Sequence, residues 1–307
     1  MTRPRRLLEA AERVRAEDPD CPQITDAVRT LALVAFAGAI SRVPDLAQNL
    51  CLKGGTLLRI LNGGRIGRPP SMDLDATVLG PVFDPTVVET RVAGELGSLL
   101  AELYGDELRI RVERRPPNQA RRAQDSVIHV FRLHADAAIQ RSAPGKRSMI
   151  EPNDFRFEAT EQEMVDRDLL LHLDHDMYGI HLAMPAYAPL QSIAEKMRAL
   201  LQKLRHYEDG LAKGLAADDP GLRGNFIPRH VLDLEILLRL TPPGDLGRLP
   251  ELFHAKCAAK GIPPQERTAE RLLHPRLRQS IEEHHPRRAT AAWAILETLT
   301  RQVLAAS

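Results

Sequence analysis

The sequence predicts a mixed α/β (α+β) fold, with a small mixed sheet and flanking helices in the N-terminal half and a helical C-terminal region. Three observations carry that expectation. Residues 50–78 read as strand, glycine turn, helix, turn and strand; period-two alternation returns near 107–114 and 126–134; and from about 190 onward nearly every stretch has helical spacing.

In chain order, "RLLEAAERVRAE" spaces Leu7, Leu8, Ala11 and Val14 as a helix does, and "ITDAVRTLALVAFAGAISRV" reads as a longer, more buried one. "NLCLKG" is a short strand running into Gly54 and Gly55. "TLLRIL" then has helical character, and "NGG" stops it. "SMDLDATVL" alternates as a strand, a helix is expected over 86–103, and a weaker strand over 147–151. "LQSIAEKMRALLQKLRHYEDGLAKGL", "PRHVLDLEILLRL" and "RRATAAWAILETLTRQVLA" are helix-patterned, with prolines and glycines between them. The change of texture places an expected domain boundary between 1–187 and 188–307.

At 307 residues, with 43% hydrophobic and 27% charged residues, the chain has the composition of a globular protein able to build a cleft. Charges interrupt the N-terminus before any signal-like apolar core, and no window reaches about 18 uninterrupted apolar residues, so a cytoplasmic protein without a membrane anchor is expected. Cys21, Cys51 and Cys257 are too scattered for a zinc site or a disulfide framework and are expected to be reduced and packed. A net charge of +1 argues against wholesale coating of nucleic acid. Yet "RIRVERRPPNQARR" carries six arginines against Glu113 alone; it is either a solvated strand end or a phosphate-binding edge. With aromatics at 4%, any nucleic acid would be held mainly by its backbone.

Asp73 and Asp75, two apart on a strand, project to one face, with Leu74 turned into the opposite layer. Side-by-side carboxylates suit a hard divalent ion such as Mg²⁺, the arrangement of phosphoryl and nucleotidyl transfer, or else a merely solvated face. Gly54 and Gly55, at a strand-to-helix turn, expose backbone N–H groups that favour anions. Lys53 precedes them, so the stretch is no P-loop. Lys196 lies in an amphipathic helix with Ile193, Met197, Leu200, Leu201 and Leu204, and Asp233 sits in an apolar run where a carboxylate needs a partner. Glu151 is a further acidic candidate.

"LKGGTLL" followed by "SMDLD" resembles the AbiEii/AbiGii-type nucleotidyltransferase toxins, within the DNA polymerase β-like nucleotidyltransferase superfamily. A later "AEKxxAL" helix is matched by Ala194, Glu195, Lys196, Ala199 and Leu200, and a following helix start by Arg229 and Asp233. The resemblance implies a nucleotidyltransferase-like fold and transfer of a nucleoside monophosphate from an NTP, with pyrophosphate leaving. It implies Asp73 and Asp75 as Mg²⁺ ligands, and Lys53, Gly54, Gly55, Thr56, Ser71 and Lys196 around the triphosphate. Asp233 would position the acceptor or a basic partner. It further implies an RNA acceptor, above all the tRNA 3′ end, and a separate antitoxin protein. Transfer to a small molecule or a protein, and a non-catalytic binding protein on this scaffold, are the rival expectations. The arginine run favours RNA over a small cationic acceptor, and the trio Asp73, Asp75 and Lys196 argues against a purely structural role.

Overall fold

The computed structural model describes residues 6–18, 21, 23–65, 73–81, 83–116, 126–140, 147–150, 155–226 and 228–305. Ser71, Glu151, Arg121 and Arg122 lie outside the described residues. The chain divides into two compact units: residues 1–163 with 170–187, and residues 164–169 with 188–307.

In the first unit, α1 (Arg6–Glu17) buries Leu7, Ala10, Ala11 and Val14, the stripe its spacing requires. α2 (Ile24–Ser41) is apolar on all sides because it is a core helix. Among the described residues it alone is long and apolar enough to cross a membrane by composition, and 78% of it is buried inside the protein. α3 (Pro44–Asn49) leads into β1 (Leu50–Lys53), α4 (Gly54–Leu61) and β2 (Asp73–Val78). The helix expected over 86–103 is continuous but mixed: Pro85–Val87, a π-turn at Val88–Val92, and α5 (Ala93–Tyr104). β3 (Leu108–Arg114), β4 (Ile128–Gln140) and β5 (Arg147–Ile150) follow, then β6 (Phe155–Thr160), β7 (Leu170–Met177) and β8 (Ile180–Tyr187). These last three strands go beyond the elements expected from the sequence.

Together the strands form one mixed sheet in the order β3-β4-β6-β2-β1-β8-β7, with β5 added to β4. β2 runs parallel to β6 and β1 parallel to β8; the other pairings are antiparallel. One face buries Leu50, Leu52, Leu74, Ala76, Phe131, Leu133, Phe155 and Phe157. The ring of Phe36 on α2 sits 5.2 Å from that of Phe157. Truncating such a buried phenylalanine costs about 3–5 kcal/mol, which fixes which side of each strand faces inward. The opposite, polar side is therefore fixed as well. All three cysteines are buried thiols outside any disulfide.

The second unit is helical. α6 (Pro189–Ala212) starts on a proline at its first turn and buries Ile193, Met197, Leu200, Leu201 and Leu204. It packs against α7 (Pro228–Leu240) and α8 (Leu249–Ala259); α9 (Pro275–His284) and α10 (Ala289–Leu304) complete the bundle. Lys256, 2% exposed, donates to the Met164 carbonyl at 2.9 Å and lies 3.5 Å from Glu195, which also binds Arg198 at 2.5 Å. Glu195 is thus a bracket between α6 and α8.

Candidate active site

β1 ends where its next two residues are glycines, and the geometry shows why. Gly54 has φ +80, a left-handed conformation that side chains resist. A Cβ there would overlap Oδ2 of Asp75 and lie 3.0 Å from its Cγ and 3.1 Å from its own Cβ. The carboxylate of Asp75 is therefore seated directly against the start of α4. Lys53 caps that helix without a side-chain cap bond, and a helix start carries N–H groups that no intrahelical carbonyl takes up, here those of Gly54, Gly55 and Thr56. Thr56 is buried, and its hydroxyl donates to the carbonyl of Asp73 at 3.0 Å, tying the helix start to β2.

Register assembles the rest. Lys53 on β1 and Glu158 on β6 stand on either side of Asp75, and Asp73 stands beside Arg156. Because cross-strand partners share a face, Asp73, Asp75 and Glu158 form one acidic cluster drawn from two parallel strands. Arg156 spans it, its Nε 2.9 Å from Asp73 Oδ1 and its Nη1 3.4 Å from Glu158 Oε1. The hydrogen bond that Arg156 donates to Asp73 is the largest influence raising the guanidinium's affinity for its proton. Burial raises the Glu158 carboxyl above its ordinary value, and the charge of Asp73 adds to the rise, while Arg156 and Lys53 oppose it. Glu151 lies outside the described residues, and Glu158 is an acidic residue that sequence reasoning did not single out. The signal was the alternation in "FRFEAT", with Phe155 and Phe157 inward and Arg156 and Glu158 outward.

Lys53 is not a loose phosphate hook. It forms an ion pair with Glu163, whose side chain is 5% exposed. Thr77 donates to Glu163 Oε2 at 2.6 Å and lies 3.1 Å from the Tyr187 hydroxyl. This buried network fixes the end of β1 beside Asp75.

In the second unit, Lys196 donates to Asp233 Oδ2 at 2.7 Å, the carboxylate being 1% exposed. The partner that the apolar surroundings of Asp233 demand is therefore Lys196, one helix away. His230, a turn earlier on α7, is held well below the ordinary histidine range, first by burial and then by the charge of Lys196.

As for a metal, no group of three or more ligand-type side chains forms a ready-made cage among the described residues. Two carboxylates beside a helix start, Asp73 and Asp75, instead suit Mg²⁺, which takes one or two carboxylates and completes its shell from substrate phosphates and water. The donor set fits the ion.

A comparison with family models matches residues 39–297 to the family described as nucleotidyl transferase AbiEii toxin, type IV toxin–antitoxin system. No curated protein matches the chain. The matched stretch takes in Gly54, Asp73, Asp75, Glu158, Lys196 and Asp233, and so both the acidic cluster and the buried ion pair; the chain belongs to the AbiEii family of nucleotidyl transferase toxins.

Proposed function

We propose that the protein transfers a nucleoside monophosphate from an NTP to the terminal hydroxyl of an RNA, above all the tRNA 3′ end, as the toxin partner of a separate antitoxin. The observation that carries this reading is the seating of Asp75 against Gly54, with Asp73 and Glu158 in the same row. Bound there, Mg²⁺ would neutralise charge on the phosphates and orient the α-phosphate. Asp73 and Asp75 are its proposed ligands, with Glu158 beside them.

The N–H groups at the start of α4, at Gly54, Gly55 and Thr56, receive the triphosphate; Lys53, held by Glu163, keeps that turn in place and adds positive charge. Ser71 is assigned to the same triphosphate by the family motif. Lys196 is assigned to a triphosphate by the family motif alone; its ammonium has three donors, of which Asp233 takes one. Asp233 orients Lys196 as its counter-ion. In the transfer, the acceptor oxygen bonds to the α-phosphorus and the bond to the bridging oxygen breaks. Pyrophosphate leaves with that electron pair, and Glu158, whose burial favours the protonated form, takes the hydroxyl proton.

The test is incubation with Mg²⁺, total RNA and each radiolabelled NTP in turn, with label followed into RNA, protein and small-molecule fractions. Label in RNA is expected, lost in Asp73→Asn and Asp75→Asn at unchanged thermal unfolding. Activity within about threefold of wild type in either variant refutes the assignment. Label in protein or small molecules instead keeps the chemistry and moves the acceptor.

A further inference from the structure

The open face of the sheet does not end at the acidic cluster. Across β6, β4 and β3 it carries Arg156, Arg132, Arg111 and Arg109, all exposed. Register sets them in a diagonal line. Arg156 lies beside Asp73, Arg132 lies opposite Arg156, and Arg111 lies opposite His134, two residues along β4 from Arg132; Arg109 follows on β3. Neighbouring strands are about 4.8 Å apart and diagonal neighbours about 7–8 Å, so the line is a continuous cationic track leading away from Asp73.

This arrangement is not self-neutralising. Like charges directly opposite on a sheet destabilise it, yet Arg132 faces Arg156. Among the described residues, no ion pair involves Arg109, Arg111 or Arg132. Glu113, the carboxylate opposite Arg132, is taken up chiefly by His134 at 2.9 Å and Arg115 at 3.5 Å, with Arg111 the weakest of its charged neighbours, and Asp136 stands opposite Arg109 without pairing to it.

The chemistry of the missing counter-charge can be narrowed. A protein partner needs apolar anchors, but the exposed large hydrophobic residues among those described, Leu171, Leu211 and Leu215, are all off these three strands. Base stacking needs aromatic rings, but Phe131, Phe155 and Phe157 are buried on the opposite face. What remains is a flexible polyanion held through its phosphates. We propose that this face binds the backbone of a single-stranded RNA, without regard to base sequence, and leads its end to the acidic cluster. The assignment deepens the transferase reading and rests on it for the direction of the strand.

The test uses the full chain, a fluorescein-labelled 20-nucleotide oligouridylate as the probe, and no NTP, so that binding is read even if transfer fails. Each phosphate contact on a single strand contributes about 0.7 to the slope of log affinity against log salt. Replacing Arg109, Arg111 and Arg132 together by glutamine is expected to reduce that slope by about 2 and weaken binding at least about tenfold at low salt. The triple lysine variant keeps the slope, and Mg²⁺–NTP binding by calorimetry stays within about twofold of wild type in both. An unchanged slope in the glutamine variant, with unfolding like wild type, overturns the track even where transfer to RNA is intact. Binding of poly-L-glutamate of matched charge as tightly as the RNA, with the same slope, also overturns it and marks the face as one for an acidic protein.

Discussion

Replacing Gly54 by alanine separates two burdens that one residue carries. The first is conformational: at φ +80 an alanine in the left-handed region costs about 1–2 kcal/mol. For a unit of this size that lowers the melting temperature by about 2–8 °C. The second is steric. The added methyl overlaps Asp75 Oδ2 and crowds its Cγ and Cβ at 3.0 and 3.1 Å, so the clash is relieved only by swinging the carboxylate out of its seat. The carboxylate oxygens are therefore displaced, by something on the order of an ångström, and a misplacement of that size costs about 100-fold in rate. Gly63 supplies the control: its φ is +62, yet nothing lies within 4 Å of a Cβ built there. Gly63→Ala is expected to show the stability loss alone, and Gly54→Ala the same loss with transfer reduced about 100-fold or more. Nucleotide incorporation and thermal unfolding on both variants decide it. If Gly54→Ala transfers within about threefold of wild type, or if Gly63→Ala loses as much activity, Asp75 is not the group that the glycine protects.

Other perturbations test the remaining assignments. Glu158→Gln is expected to lower transfer about 100-fold or more while apo stability holds or rises, since it removes a carboxylate that burial disfavours in its charged form; wild-type rates would remove Glu158 from the site. Asp233→Ala strands the ammonium of Lys196 and is expected to cost about 3–5 kcal/mol in urea unfolding, whereas replacing both partners by leucine costs less. A single-variant loss under about 1 kcal/mol would mean that the pair is already hydrated. His230, His274 and His285 are all held below the ordinary histidine value, chiefly by burial. The unfolded chain then binds more protons than the folded one, so stability is present above about pH 6.5 and lost as pH falls through the lowered values. His274 also accepts from the Arg276 N–H at 3.3 Å at the start of α9, a role open only to the neutral ring. His274→Asn is expected to keep the cap and flatten the acid side of the stability curve; a curve parallel to wild type would contradict that.

The parts of this architecture that the sequence displayed were those written locally. β1, α4 and β2 are announced by an apolar run, a glycine that only a left-handed turn requires, and a DxD alternation, all within a short stretch. In the second unit α6, α7 and α10 are long enough for their period to stand out, whereas the shorter α8 and α9 were not singled out. β7 and β8 were hidden because "LLHLDHDM" leaves five of its eight residues exposed, and their hairpin turns on Tyr178 and Gly179, with Tyr178 at φ 55, where Asn-Gly is the usual signal. Glu158 was only half legible: the alternation of "FRFEAT" turns it outward, but nothing in that stretch says which strand it meets. Its value lies in standing opposite Asp75, and that pairing joins strands far apart in the chain. Likewise the basic run looked like one patch, but strand alternation divides it. Arg109 and Arg111 go to the open face, Arg114 stands opposite Phe131, and Arg115 turns back on Glu113.

The six residues 164–169 belong to the helical unit although strands of the sheet unit precede and follow them. They are stitched in: Asp166 N–H donates to Gln191 at 2.7 Å, Ala188 N–H to the Leu169 carbonyl at 3.0 Å, and Lys256 to the Met164 carbonyl. The polypeptide thus passes from one unit to the other three times, after Glu163, Leu169 and Tyr187. Severing it only after Tyr187 would leave Lys256 with a buried ammonium facing a carbonyl it no longer owns, and Gln191 with two orphaned bonds. The helical unit is consequently not a cassette that recombination can lift out as 188–307 and graft elsewhere.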